Sequence, residues 1–145
     1  MIATGYNGYK TTIVNTTRNK EEILLLLYEK ALVSLKSARK GIEENNPRQK
    51  GENLSRVLAI LTEFDCALDR EIGGVISENL AAIYSYATER LTVANIQNDP
   101  EVIREVERVL GELYDGFKNA AQQVERSAHP QNRAPELTGG MRIAI

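Results

Sequence analysis

Hydrophobic positions recur at alternating steps of three and four along most of this chain, the spacing that gathers side chains on one face of an α-helix. Leu24, Tyr28, Ala31, Leu35, Ala38 and Ile42 form a first row, and Leu54, Val57, Leu61, Phe64, Leu68 and Ile72 a second. Leu80, Tyr84, Ala87, Leu91 and Ala94 make a third, and Ile103, Val106, Leu110, Leu113, Phe117, Ala120 and Val124 a fourth. The residues between rows are helix punctuation. Asn46-Pro47 and Asp99-Pro100 each set a capping side chain before a proline at the first helical position, where its missing N–H costs nothing. Ser77-Glu78 opens the third helix, and Gly73-Gly74 is expected to end the second, because glycine accepts the left-handed backbone of a helix terminus.

The rows predict helices over about 19–45, 47–72, 77–97 and 100–126. Amphipathic helices of this length joined by short turns make an all-α fold, an antiparallel up-down four-helix bundle over residues 19–126. No strand-like alternation competes. Residues 1–18 have poor periodicity and are expected to form an N-terminal arm. Its Tyr6, Tyr9, Ile13 and Val14 are costly to leave in water, so the arm should dock on the body. Residues 127–145, with Pro130, Pro135 and Gly139-Gly140, read as a flexible, disordered tail. The apolar Met141, Ile143 and Ile145 near its end have no place in the bundle pattern.

The third helix carries more apolar surface than a bundle needs. Ala82, Ile83, Tyr86 and Val93 form a second row on a different sector, interrupted by Arg90. One stripe with a polar back suffices for a surface helix. A second stripe must be covered by neighbours or offered to a partner. Tyr84 is most simply core, and Tyr86 is the better contact candidate. In the first helix Leu25 and Leu32 flank the row while Leu26 and Val33 lie opposite it; in the second, Ile60 and Ala67 widen the row. Asn79 and Asn95 bracket the third helix as caps or interhelical partners, with a ligand-reading role as the alternative.

Composition narrows the function by exclusion. With 145 residues, 42% hydrophobic and 26% charged, the chain fits one domain with a sizeable core. A formal charge of −2 gives no footprint for nucleic acid or an anionic membrane. The longest apolar run, Ile23 to Tyr28, is too short to cross a bilayer, and the first residues lack a signal-peptide pattern, so no membrane insertion is expected. A lone Cys66 cannot form an internal disulfide and fits a reducing cytoplasm. The single histidine, His129, sits in the tail, where a solvated side chain outweighs a catalytic one. Di-iron bundles need inward Glu-x-x-His pairs and zinc sites need several Cys or His; neither pattern exists here. Cys66 has no base partner in the sequence that would make it a nucleophile, and there is no glycine-rich phosphate loop. The chain reads as a non-enzyme with no catalytic residue, cofactor or metal.

Several short motifs then follow in order. The arm has Tyr6 and Tyr9-Lys10, and the first helix has Leu26-Leu27-Tyr28-Glu29-Lys30-Ala31. Leu68-Asp69 precedes Gly73-Gly74, then comes Ser77-Glu78-Asn79-Leu80-Ala81-Ala82-Ile83-Tyr84-Ser85-Tyr86, and finally Arg90-Leu91-Thr92-Val93-Ala94-Asn95. The series resembles the flagellar export chaperones of the FliS type from about Tyr6 to Ala121. The family pattern Asn-Leu, Leu-Tyr-x-Tyr, then Leu-x-x-Ala-Asn is met with Ile83 in place of leucine. A family proline before the first-helix acids and a tryptophan in the fourth helix are replaced by Lys20 and Phe117.

The resemblance implies a cytoplasmic chaperone that works without ATP. It would bind the disordered C-terminal segment of flagellin, prevent premature polymerisation and assist delivery to the export apparatus, with export-gate components as further partners. The arm would cover part of the apolar groove when no client is bound. The residues expected at the client are Tyr6, Tyr9, Leu25, Leu26, Ile60, Ile83, Tyr86, Val93 and Asn95. The competing reading is a self-associating structural bundle or a regulatory adaptor.

Overall fold

The computed structural model describes residues 2–127, with side chains from Asn19 onward. The expected tail, His129 included, therefore lies outside the described residues but for Ser127, as do the side chains of Tyr6 and Tyr9. Four helices follow one another: α1 (Ile2–Glu43), α2 (Pro47–Ala67), α3 (Arg70–Gln97) and α4 (Pro100–Ser127). Each packs on its neighbour in the chain and α4 closes back on α1. The result is the antiparallel up-down four-helix bundle that the four apolar rows require, without a strand among the described residues.

The rows become the core because only one face of each helix can reach the bundle axis. Tyr28, Ala31, Leu35 and Ala38 of α1 are fully buried, with Val57 and Leu61 of α2, Leu91 of α3, and Ile103, Val106 and Leu110 of α4 beside them. Alanine recurs in the rows of α1 and α3, where Ala31, Ala38, Ala87 and Ala94 have no exposed surface. Toward the end of the bundle that holds the α2–α3 turn, each helix contributes one ring to an aromatic layer. Tyr28 stacks on Phe64 at 4.4 Å between centroids and lies tilted to Phe117 at 5.6 Å, and Phe64 meets Tyr84 at 5.5 Å. The Tyr28 and Tyr84 hydroxyls join across the diagonal of the bundle at 2.8 Å.

The turns at the opposite end are fixed by side-chain oxygens. Asn46 caps α2 by accepting from the Gln49 N–H at 3.1 Å, ahead of Pro47. Asp99 accepts from the Glu101 N–H at 3.0 Å at the start of α4. Lys50 ties the two turns together, donating to the Asn95 carbonyl at 3.1 Å and to Asn98 Oδ1 at 2.7 Å. A half-buried Arg39–Glu107 pair joins α1 to α4, with both guanidinium contacts falling on the one carboxylate.

Two boundaries differ from the sequence expectation. The helical backbone of α1 starts at Ile2, so residues 2–18 continue it where a separate arm was expected. No proline interrupts that stretch, and Thr and Asn are weak helix formers rather than breakers. At 42 residues, α1 is about 63 Å long, twice the roughly 32 Å of α2. The second difference is at the α2–α3 turn. Helix α2 ends at Ala67 with Leu68 extended, and Asp69 caps a new helix by accepting from the N–H groups of Glu71 and Ile72. The expected terminator, Gly73-Gly74, thus lies within α3. Gly74, at φ 53° and ψ −126°, kinks that helix in a conformation closed to residues with a Cβ. Ile72, expected at the end of the α2 row, is consequently 87% exposed.

Candidate functional site

The aromatic layer is also a floor. Beyond it, at the end of the bundle holding the α2–α3 turn, the four helices leave an open cavity of about 630 Å³. Phe64, Tyr84 and Phe117 form its base, and Ile23, Leu24 and Leu27 of α1, Leu68 of the turn and Leu80 of α3 its apolar walls. Lys20 and Glu63 are the charged groups that line it. The core rows run out here: Leu24, Leu27, Leu68, Leu80 and Phe117 are only partly buried. Next to it in the chain, Val75 and Ile76 are each 70% exposed, just past the kink at Gly74. A smaller recess of about 130 Å³ lies between α1 and α4, where Leu25 faces Ala121 and Val124.

A second apolar strip follows the flank of α3. Ile83 and Val93 are half-buried and Tyr86 is 42% exposed. The polar boundary of this strip is on α4. Arg90 Nε donates to Glu105 at 2.7 Å. The Arg90 guanidinium beside it holds the Glu105 carboxyl below the usual carboxylate range. The buried phenols behave in the opposite sense. Burial, and for Tyr28 the bond to Tyr84, pushes both Tyr28 and Tyr84 above the ordinary value for tyrosine.

The expected contact residues separate into groups. Ile83, Tyr86 and Val93 share the α3 strip; Leu25 sits at the smaller recess, and Leu26, 62% exposed, points away from the bundle. Ile60 is a correction: it is 6% exposed and belongs to the core, because the row of α2 is wide enough to be covered by both neighbouring helices. Asn95 is exposed but lies nine residues from Tyr86, about 180° around α3. That angle keeps it off the strip, and its backbone carbonyl accepts from Lys50 of α2. Sequence reasoning missed the cavity. Its walls come from core rows whose last members find no partner, and Val75-Ile76 beyond the glycine pair was the available signal.

No group of three or more His, Cys, Asp or Glu among the described residues could hold a metal ion, and no described helix is long and apolar enough to cross a membrane. What the surface offers is adhesion to apolar side chains. The family profile of the flagellar protein FliS matches residues 2–124. The chain belongs to the FliS family. A flagellar secretion chaperone FliS of Bacillus subtilis is 33% identical over 128 residues, which cover 88% of this chain and 94% of that one. That of Salmonella typhimurium is 32% identical over 120 residues, covering 80% and 89%. A crystal structure of a bacterial flagellar chaperone shares the fold with a TM-score of 0.69 over 82% of this chain and 98% of the other, at 16% identity. FliS is a family of flagellar secretion chaperones, not of enzymes. In this FliS-family chain the motif from Ser77 to Tyr86 supplies the cavity wall (Leu80), its floor (Tyr84) and the exposed strip (Ile83, Tyr86).

Proposed function

We propose that this protein holds the C-terminal segment of flagellin in the cytoplasm, keeps it from polymerising early and helps hand it to the export apparatus. The observation that carries this reading is the open apolar cavity at the bundle end together with the unpartnered strip on α3. A client segment that forms amphipathic helices can lay its apolar positions at i, i+3, i+4 and i+7 on such surfaces. Ordering that segment costs roughly 2–5 kcal/mol. At ~25 cal/mol per Å², burial of about 200 Å² of apolar surface offsets the upper end of this cost. The cavity walls and Ile83, Tyr86 and Val93 are the contacts, with Leu25 and Leu26 at the margin. Tyr6 and Tyr9, at the cavity end of the chain's first helix, compete with the client or clasp it. Export-gate components are the further partners.

Isothermal titration of the full chain with a peptide from a flagellin C-terminus tests the proposal. The expected result is saturable binding at one peptide per chain, with a negative heat-capacity change from apolar burial. A peptide that produces no heat and does not co-elute with the protein refutes it. If the protein instead proves a concentration-dependent oligomer by light scattering, the strip is covered by its own copy.

A further inference from the structure

We propose that residues Met141–Ile145 of the chain dock in the bundle-end cavity of the same molecule and there compete with a client. The competition rests on reading that cavity as the client site; the docking does not.

The FliS match covers residues 2–124, so the run Met141-Arg142-Ile143-Ala144-Ile145 lies outside it. In an extended backbone, alternation puts Met141, Ile143 and Ile145 on one side and Arg142 and Ala144 on the other. Nothing in the bundle pattern uses those three apolar side chains. The chain also leaves the bundle in the right place. Phe117 lies in the cavity floor and α4 continues ten residues to Ser127, about 15 Å further at the same end.

From there, fourteen residues lead to Met141. Pro130 and Pro135 cannot prolong α4, and Gly139-Gly140 allows a turn directly before the apolar run. A flexible chain of fourteen residues has a root-mean-square span of about 20 Å, well matched to a return of ~15 Å. The cavity suits the segment chemically. Ile23, Leu27, Leu68 and Leu80 offer apolar walls to Met141, Ile143 and Ile145. Tethering sets an effective concentration of order millimolar. An intrinsic dissociation constant of about 0.1 mM therefore keeps the segment docked some nine-tenths of the time, and lowers the apparent client affinity about tenfold.

A spin label at Ala144→Cys, in a Cys66→Ser background, reads the docking without any client. The alternation places residue 144 away from the cavity, so the label does not block the contact. Amide signals of Ile23, Leu80 and Phe117 should broaden. Those of Leu80 and Phe117 should sharpen again in Ile23→Glu, a half-exposed position whose substitution leaves the fold intact, as an unchanged helical spectrum checks. Absence of broadening overturns the docking. So does broadening of an isotope-labelled chain by a separate spin-labelled chain, which would make the occupant a second copy. Truncation after Gly140 should raise the affinity for a flagellin C-terminal peptide about tenfold, and an unchanged affinity overturns the competition. If neither form binds that peptide, the proposed function falls, while the paramagnetic result still decides whether the segment docks.

Discussion

The diagonal contact between Tyr28 and Tyr84 makes an asymmetric prediction. Their hydroxyls are 2.8 Å apart, Tyr28 has no exposed surface and Tyr84 has 4%. Tyr84, unlike Tyr28, also forms part of the cavity floor. Tyr84→Phe strands a hydroxyl in the sealed interior, which should cost the desolvation of that group, about 1–3 kcal/mol. Tyr28→Phe strands the Tyr84 hydroxyl where water entering the cavity can reach it, so the loss should be nearer ~1 kcal/mol. Removing both hydroxyls leaves no orphan, and both rings keep their contacts with Phe64. The double variant should therefore lie within about 1 kcal/mol of the parent, with a coupling of about 1–2 kcal/mol. Urea unfolding followed by far-ultraviolet circular dichroism measures all four proteins, and equal slopes show that the denatured state is unchanged. Additive single effects, or a larger loss from Tyr28→Phe than from Tyr84→Phe, would refute the reasoning.

Three further outcomes are expected. Tyr86→Ala should weaken binding of a flagellin C-terminal peptide by ~1–2 kcal/mol in calorimetry while lowering stability by no more than about 0.5–1 kcal/mol; equal losses would make Tyr86 a core residue. Because both buried phenols titrate above their ordinary value of 10.0, the unfolded chain ionises first. Their contribution is intact below about pH 10 and fades above it by up to ~1.4 kcal/mol per pH unit for each phenol; Tyr28→Phe should show a shallower alkaline decline, and an identical decline would contradict this. Gly41→Ala should destabilise, since its Cβ would sit 2.7 Å from the Lys50 backbone nitrogen, whereas Gly51→Ala meets nothing within 4 Å and should stabilise by about 0.5–1 kcal/mol. Thermal unfolding reads both, and a gain at Gly41 would show that the α1–α2 turn is looser than described.

What the sequence determined by itself was periodic or local. The steps of three and four assigned Tyr28, Leu35, Leu61, Leu91 and Leu110 to the core, and they are buried. Asn46-Pro47 and Asp99-Pro100 fixed two turns, because a cap and a proline act within one helical turn of themselves. The order of motifs from Tyr6 to Asn95 pointed to the FliS family, which the profile match over residues 2–124 bears out. Only the tertiary structure decided where the rows stop finding partners. Whether Ile60 lies within the core and Ile72 in solvent depends on neighbouring helices and on the cap at Asp69, not on spacing along one helix. The same holds for the cavity. Leu24, Leu68, Leu80 and Phe117 are far apart in the chain and read individually as core, yet together they line a space that the four helices leave open. Periodicity says which face of a helix is apolar; only packing says how much of that face is covered, since covering is a property of two surfaces at once.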